Sequence, residues 1–494
     1  MMQFLIAAPR SGSGKTTMTC AMLAALKKRG YAPCAFKSGP DYIDPMFHRS
    51  VLNVDSHNLD LFLSDRSTVQ ALYAHYAAGH SAAVCEGAMG FYDGQGLTTR
   101  ASAWELADTL GLPVLLVIQP KGASMTLAAE IHGLVHFREN SHISGILLND
   151  CSEKLYKMLK VLLEKETGLP VLGYLPHLLD AAVESRHLGL KTAGEIADLQ
   201  EKISLLTDSL VVDWVKLEKI TEKSFGNSEA FPGPGEGGLT QSGKPDEGKS
   251  CPDSVLLERL QKITTPHQSR VCSPASPEGE AIALRIAVAR DEAFCFTYAE
   301  TLDTLRTAGA ELVFFSPVHD TALPENIGGL YLPGGYPELY AKQLSENQTM
   351  LFSIRDAVNS GLPTAAECGG FLYLGQNLED AEGQTFPMAG VLPGDGIKKG
   401  RLVRFGYAEM TAKTNSMLFR AGESLHIHEF HHWDSTANGT DFSLKKNEAA
   451  QWEGGFANEH LYAGFPHLYW AGTPLPERFV AAAHQYLKTK GQQK

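Results

Sequence analysis

Leu362-Pro363-Thr364-Ala365-Ala366-Glu367-Cys368-Gly369-Gly370-Phe371-Leu372-Tyr373-Leu374 reads as a strand, a sharp turn and a helix. Small residues run up to Glu367, two glycines follow Cys368, and an apolar pattern of helical spacing begins at Phe371. Such a turn lifts a thiol to the top of a sheet, at a helix N-terminus whose dipole favours thiolate. The backbone N–H of Gly369 is then placed to bind an oxyanion. A buried structural cysteine is the plain alternative, but it gives no reason for glycine at both following positions.

Outward from this turn, strands are expected at Arg285–Ala289, Glu311–Phe315, Gly329–Leu332 and Pro363–Glu367, with strands dominating again from Ala389 to Phe456. The N-terminal part alternates in the same way. Strands are expected at Gln3–Ala8, Ala32–Lys37, Ala82–Glu86, Val114–Ile118, Ile143–Leu148 and Val171–Tyr174, with helices such as Thr16–Arg29 and Ala101–Leu110 between them. That alternation predicts parallel sheets with helices on both faces, an α/β architecture. Residues 226–280 are rich in Gly, Pro and Ser, which reads as a flexible linker carrying one helix, Ser254–Lys262. The expected organisation is a domain over 1–205, a helical and flexible linker over 206–282, and a second domain over 283–490. No internal repeat stands out.

Ser11-Gly12-Ser13-Gly14-Lys15-Thr16-Thr17 follows an apolar strand and opens a helix, the context a phosphate-binding loop requires. Backbone N–H groups would cradle phosphate, Lys15 would reach the β/γ-phosphates and the Thr16 hydroxyl would ligate Mg²⁺. The first glycine of the usual pattern is replaced by Pro9. In Cys85-Glu86-Gly87-Ala88-Met89-Gly90-Phe91-Tyr92-Asp93-Gly94 two acids lie just past a strand end, where open α/β sheets bind ligands. Glu86 is a candidate Mg²⁺ ligand, and Asp93 is either a turn residue before Gly94 or part of the site. In Lys37-Ser38-Gly39-Pro40-Asp41-Tyr42-Ile43-Asp44-Pro45-Met46-Phe47-His48, Asp44 and Pro45 suit the cap and first position of a helix, which leaves Lys37, Asp41 and His48 free for function.

Bulk properties exclude several classes. With 494 residues the chain exceeds one core. A net charge of −13 disfavours nucleic acid and anionic membrane surfaces. No apolar run approaches a membrane span, the N-terminus runs straight into a strand, and eight scattered cysteines form no CxxC pair. A cytoplasmic protein with neither a zinc ribbon nor a disulfide framework is expected, its oligomeric state open, a homodimer included.

The motifs SGSGKTT (11–17), KSGPDYIDPMFH (37–48), EGAMGFYDG (86–94), SRHLGL (185–190), DEAFCFTY (291–298), LPGGYPE (332–338), AAECGGFLYLG (365–375) and HEFHH (428–432) together resemble the cobyrinate a,c-diamide synthases. The resemblance covers nearly all the chain outside the linker. It implies a dethiobiotin-synthetase-like, ATP-dependent amide ligase domain joined to a class I glutamine amidotransferase domain. The implied substrates are cobyrinate or a related tetrapyrrole, ATP and L-glutamine, with Mg²⁺ as cofactor. It implies ATP contacts at Gly12, Ser13, Gly14, Lys15, Thr16, Thr17 and Asn149, the last reading the adenine. It further implies that Lys37, Asp41, Tyr42, Asp44, His48 and Asp93 order substrate, acyl phosphate and metal. Cys368 would attack the glutamine amide, Gly369 and Gly335 would supply oxyanion N–H groups, and His467 would be the base. Ordinary class I amidotransferases carry glutamate two residues after that histidine, and Tyr469 stands there, so a Cys–His dyad is expected rather than a triad.

The cluster from His426 to His432 invites a metal reading, but in a strand His428 and His432 face one side while Glu429 and His431 face the other. Two rival readings remain: the same amidation on another tetrapyrrole, such as sirohydrochlorin, its nickel form, siroheme or hydrogenobyrinate, and a nucleotide-dependent switch with an idle amidotransferase half. Intact Lys15 and Cys368 weigh against the second.

Overall fold

A computed structural model describes residues 1–178, 193–225 and 284–492. The motif at 185–190 and the helix expected at 254–262 lie outside the described residues. The described residues fall into two compact units.

In the first unit the strands are β1 (Met2–Ala7), β2 (Pro33–Ser38), β3 (Asp55–Leu59), β4 (Ala82–Glu86), β5 (Val114–Ile118), β6 (Ile143–Asn149), β7 (Val171–Leu175) and β8 (Val211–Val212). They form one sheet in the order β3-β2-β4-β1-β5-β6-β7-β8. All pairs are parallel except the edge strand β8, which runs antiparallel to β7. Every residue of β1, β2, β4, β5 and β7 is buried, as strands covered on both faces should be, the charged ends of β2 and β4 included. From β1 the chain winds first toward β2 and β3 and later toward β5 to β7. The reversal opens a crevice at the carboxyl ends of the central strands. Helix α1 (Lys15–Lys28) follows β1, and helix α2 (Ile43–Ser50) follows β2.

Residues 206–225 belong to this unit, contrary to the expected linker boundary. Val211–Val212 pairs with β7, and the helix Trp214–Phe225 packs on β1 and β7. A two-residue strand carries no periodicity from which to read it.

The second unit contains β9 (Arg285–Ala289), β10 (Glu311–Phe315), β11 (Ile327–Leu332), β12 (Thr364–Glu367), β13 (Asn377–Glu379), β14 (Thr385–Pro387), β15 (Asp395–Ala412), β16 (Ser424–Ser435), β17 (Phe442–Asn447), β18 (Ala450–Gly454), β19 (Phe456–Ala457), β20 (Leu461–Gly464) and β21 (His467–Leu468). One sheet runs β10-β9-β11-β12-β20-β19, parallel except for β19, and a second runs β14-β13-β15-β16-β21 with β17 and β18 attached. Alternate side chains of β9 and β11 enter two cores. Ala287, Leu330 and Leu332 pack with Cys368 and Phe371 on one face, while Ile286, Val288 and Tyr331 pack with Trp470 and Phe479 on the other.

Candidate active sites

At the crevice of the first unit, β1 runs into a loop in which Gly12 (φ 77°) and Gly14 (φ 87°) adopt left-handed backbone, after which α1 begins at Lys15. Only glycine takes such angles without strain. Asn149, at the end of β6, lies against this loop, and its Nδ2 donates to the Ser13 carbonyl at 3.1 Å. A Cβ on Gly14 would collide with that amide. Gly14→Ala therefore meets both strain and collision, and is expected to raise the Kd for ATP about tenfold or more, measured by calorimetry.

Lys15 Nζ donates to the carbonyls of Arg10 and Met89. Burial, and then the Lys37 ammonium, hold its pKa below the usual lysine range. Lys37 and Glu86 are directly opposed in the β2–β4 register. Lys37 Nζ lies 2.7 Å from Glu86 Oε1, 2.5 Å from Asp44 Oδ2 and 3.9 Å from Asp41 Oδ2. Burial alone would lower Lys37, but these carboxylates overcome it and hold the ammonium above its ordinary value. Three acids surround one ammonium, and the surplus shows in Glu86, which burial and Asp44 raise against the pull of Lys37.

Thr16 Oγ1 donates to Glu86 Oε1 at 2.6 Å and lies 3.5 Å from Asp44 Oδ2. Glu86 Oε2 is buried and has no hydrogen-bond partner. An orphaned carboxylate oxygen, a hydroxyl and surplus negative charge form an all-oxygen set that suits Mg²⁺. Among the described residues no three His, Cys, Asp or Glu side chains converge on a metal. A cation here would therefore rely on Thr16, Glu86 and phosphate oxygens.

The 37–48 segment departs from expectation in one respect. Asp44 lies inside the first turn of α2, Tyr42 holds the cap position, and Asp41 Oδ1 accepts from the N–H of Ile43 at 2.8 Å. Tyr42 is buried at the start of that helix. Asn58 of β3, which the sequence did not mark, donates to the carbonyls of Gly39 and Asp41 and fixes the loop. Asp93 holds the turn, its Oδ2 accepting from Gly90 N–H at 3.1 Å, and its charge acts on Lys15.

His48 is fully buried, with Nδ1 3.0 Å from Ser56 Oγ. Burial lowers its pKa to about 4. Between that value and the ordinary 6.5 the unfolded chain binds the extra proton, so stability falls as pH drops through this window. Against His48→Asn, the wild type is expected to lose about 3 kcal/mol more on going from pH 7 to pH 4, read from urea unfolding.

In the second unit Cys368 sits between β12 and the helix Gly369–Leu374, which starts two residues earlier than the apolar pattern predicts. Its φ of 48° and ψ of −101° are strained for a non-glycine residue, as at a nucleophile turn. Its N–H donates to the Gly464 carbonyl at 2.7 Å. The expectation of a resting thiolate fails. Burial comes first, with the Glu338 and Glu429 carboxylates adding to it, and pushes the thiol well above the usual range, more than the Gly369 N–H can offset. A helix of six residues has too small a dipole to compete.

Close backbone approach accounts for the glycines around Cys368. A Cβ on Gly369 would lie 3.0 Å from the Gly335 nitrogen, so the two candidate oxyanion N–H groups share one corner. A Cβ on Gly370 would strike the Leu332 carbonyl, and one on Gly334 would lie 2.6 Å from His467 Cε1. His467, on β21, is thus brought against the same Gly334–Gly335 loop. Burial, with help from His428 and His431, lowers its pKa to about 3, so the resting imidazole is neutral. The HEFHH segment lies on β16. His428 is the register partner of His467. His431 Nε2 lies 3.2 Å from Glu429 Oε2 and its ring stacks on Phe465 at 3.8 Å.

Two domain families match the chain. A CobQ/CobB/MinD/ParA nucleotide-binding domain model matches residues 4–188, and a CobB/CobQ-like glutamine amidotransferase domain model matches residues 285–474. The cobyrinate a,c-diamide synthase of Clostridium acetobutylicum is 36% identical over 479 residues, 96% of this chain and 98% of its own. That of Synechococcus sp. is 36% identical over 492 residues, covering 98% and 99%. That of Caldanaerobacter subterraneus subsp. tengcongensis is 34% identical over 469 residues, 94% of each. With a phosphate loop in one unit, a cysteine at a strained turn in the other, and relatives of this identity along its whole length, the chain belongs to the family of cobyrinate a,c-diamide synthases.

Proposed function

We propose that this chain converts cobyrinate to its a,c-diamide, using ATP to activate each carboxylate and glutamine as nitrogen donor. The observation that carries the reading is kinship to synthases of that name over 96% of this chain, supported by Lys15 at the start of the helix after the glycine loop and Cys368 at a strained turn.

A carboxylate is a poor electrophile. Transfer of the ATP γ-phosphate makes it an acyl phosphate with a good leaving group, and positioning and charge neutralisation supply most of the catalysis. Lys15 and the loop N–H groups bind phosphate. Lys37, Asp41, Tyr42, Asp44, His48 and Asp93 are the groups proposed to orient the carboxylate and acyl phosphate. Bound through Thr16 and Glu86, Mg²⁺ would supply charge neutralisation on the phosphates. In the second unit Cys368 Sγ attacks the glutamine amide carbon while its proton passes to His467. The N–H groups of Gly369 and Gly335 hold the oxyanion, the C–N bond breaks, and NH₃ leaves with the proton from His467. Water then hydrolyses the thioester to glutamate.

Incubation with cobyrinate, ATP and glutamine is expected to give a product carrying two new amides, counted by mass. Sirohydrochlorin under the same conditions is expected to stay unchanged. Amidation of sirohydrochlorin with cobyrinate untouched would overturn the assignment.

A further inference from the structure

The residue before the nucleophile has no part in the glutamine chemistry as described so far. Glu367 ends β12 and is 1% exposed. Its Oε1 accepts from Trp470 Nε1 at 3.0 Å and its Oε2 from Leu468 N–H at 3.4 Å. The same Oε2 lies 3.9 Å from His467 Nδ1. Both donors follow the base in sequence, one the Leu468 backbone N–H and the other the Trp470 indole, so this carboxyl ties down the segment just after the histidine and lies near its ring. Tyr469 cannot serve instead: it has no carboxylate, and its ring packs edge-on against Tyr298 at 5.1 Å.

We propose that Glu367 is a positioning residue for His467, its carboxyl fixing the imidazole at the Nδ1 edge and stabilising the imidazolium formed when the Cys368 proton is transferred. The proposal rests on the reading of His467 as the base. Acceptance of a positive charge beside a buried carboxylate is the logic of a triad, here with the acid drawn from the strand before the nucleophile.

The protonation state gives the test. Burial raises Glu367 to about 8, against the donors Trp470, Leu468 and Tyr331. The other titratable groups facing this corner are His428, His431 and Glu429 on β16, Tyr331 on β11, Tyr462 on β20, and Glu338 beside Cys368. The carboxylate needed for the imidazolium therefore appears as pH rises through about 8, and glutaminase kcat should climb with it.

Glu367→Gln is expected to lower glutaminase kcat at pH 9 about 100-fold, with KM for glutamine within about threefold, and to flatten the rise near pH 8. Glu367→Asp is expected to restore the rise. Wild-type kcat with an intact rise in Glu367→Gln, or a change confined to KM, would overturn the proposal. Should Glu367→Gln fail to fold, Trp470→Phe removes one donor to the carboxyl and should move the rise to higher pH; an unmoved rise overturns it equally. His467→Ala separates the layers. Glutaminase surviving in His467→Ala removes the base on which this rests, whereas loss there beside an unaffected Glu367→Gln ends only the positioning role.

Discussion

Cys368→Ser is expected to cut glutamine-dependent synthesis about 10⁴-fold, while synthesis from added ammonia at high pH continues at the wild-type rate. The substitution is nearly isosteric and keeps the turn, so it removes chemistry and little else. A hydroxyl is a far weaker acid than even a thiol raised by burial, and the neutral His467 imidazole cannot make up the difference. The first unit has its own phosphate loop and acid cluster and needs only free NH₃ to complete its half of the reaction. Parallel assays of glutamate release and amide formation decide the matter. If synthesis from ammonia vanished along with glutaminase, the division of labour between the units would be wrong.

Lys37→Ala is expected to be the most damaging single change to the first unit. It leaves Glu86 and Asp44 buried and facing each other with no ammonium between them. Breaking a buried pair by removing one partner costs about 3–5 kcal/mol. That corresponds to a fall of about 10 °C in the unfolding midpoint for a unit of this size, read by calorimetry. Activity should disappear as well, because the carboxylates would collapse on whatever cation is present. The deficit should shrink on acidification, since protonated acids no longer repel. An unchanged midpoint in Lys37→Ala would show that the three acids are neutralised by something other than this lysine.

Much of the sheet architecture could be read directly because its strands are covered on both faces. Val114–Ile118 is an uninterrupted apolar run, Arg285–Ala289 is one after its first residue, and both fold as read. Asp55–Leu59 could not be read in this way. Its residues are Asp, Ser, His, Asn and Leu, and only pairing with β2 makes them a strand. The same limit applies at the sites. Lys15, Thr16, Cys368 and the glycines beside it announce themselves through local motifs, where backbone angle and residue type coincide. The partners of Lys37 do not, because β2 and β4 are brought together by parallel register between segments 49 residues apart. Asn58 and Glu367 escaped for that reason too: each looks like an ordinary strand residue until the chain brings its partner from elsewhere. Asp44 suited the cap because Pro45 after it suits a first helical position, yet the helix begins at Ile43, one residue ahead of Asp44.

A nucleophile that burial holds toward its protonated form reacts differently from an exposed thiol. Peroxide and small alkylating agents react with the anionic form of sulfur, which burial disfavours at Cys368. Iodoacetamide should therefore modify Cys368 of the resting protein slowly, and faster as the pH is raised.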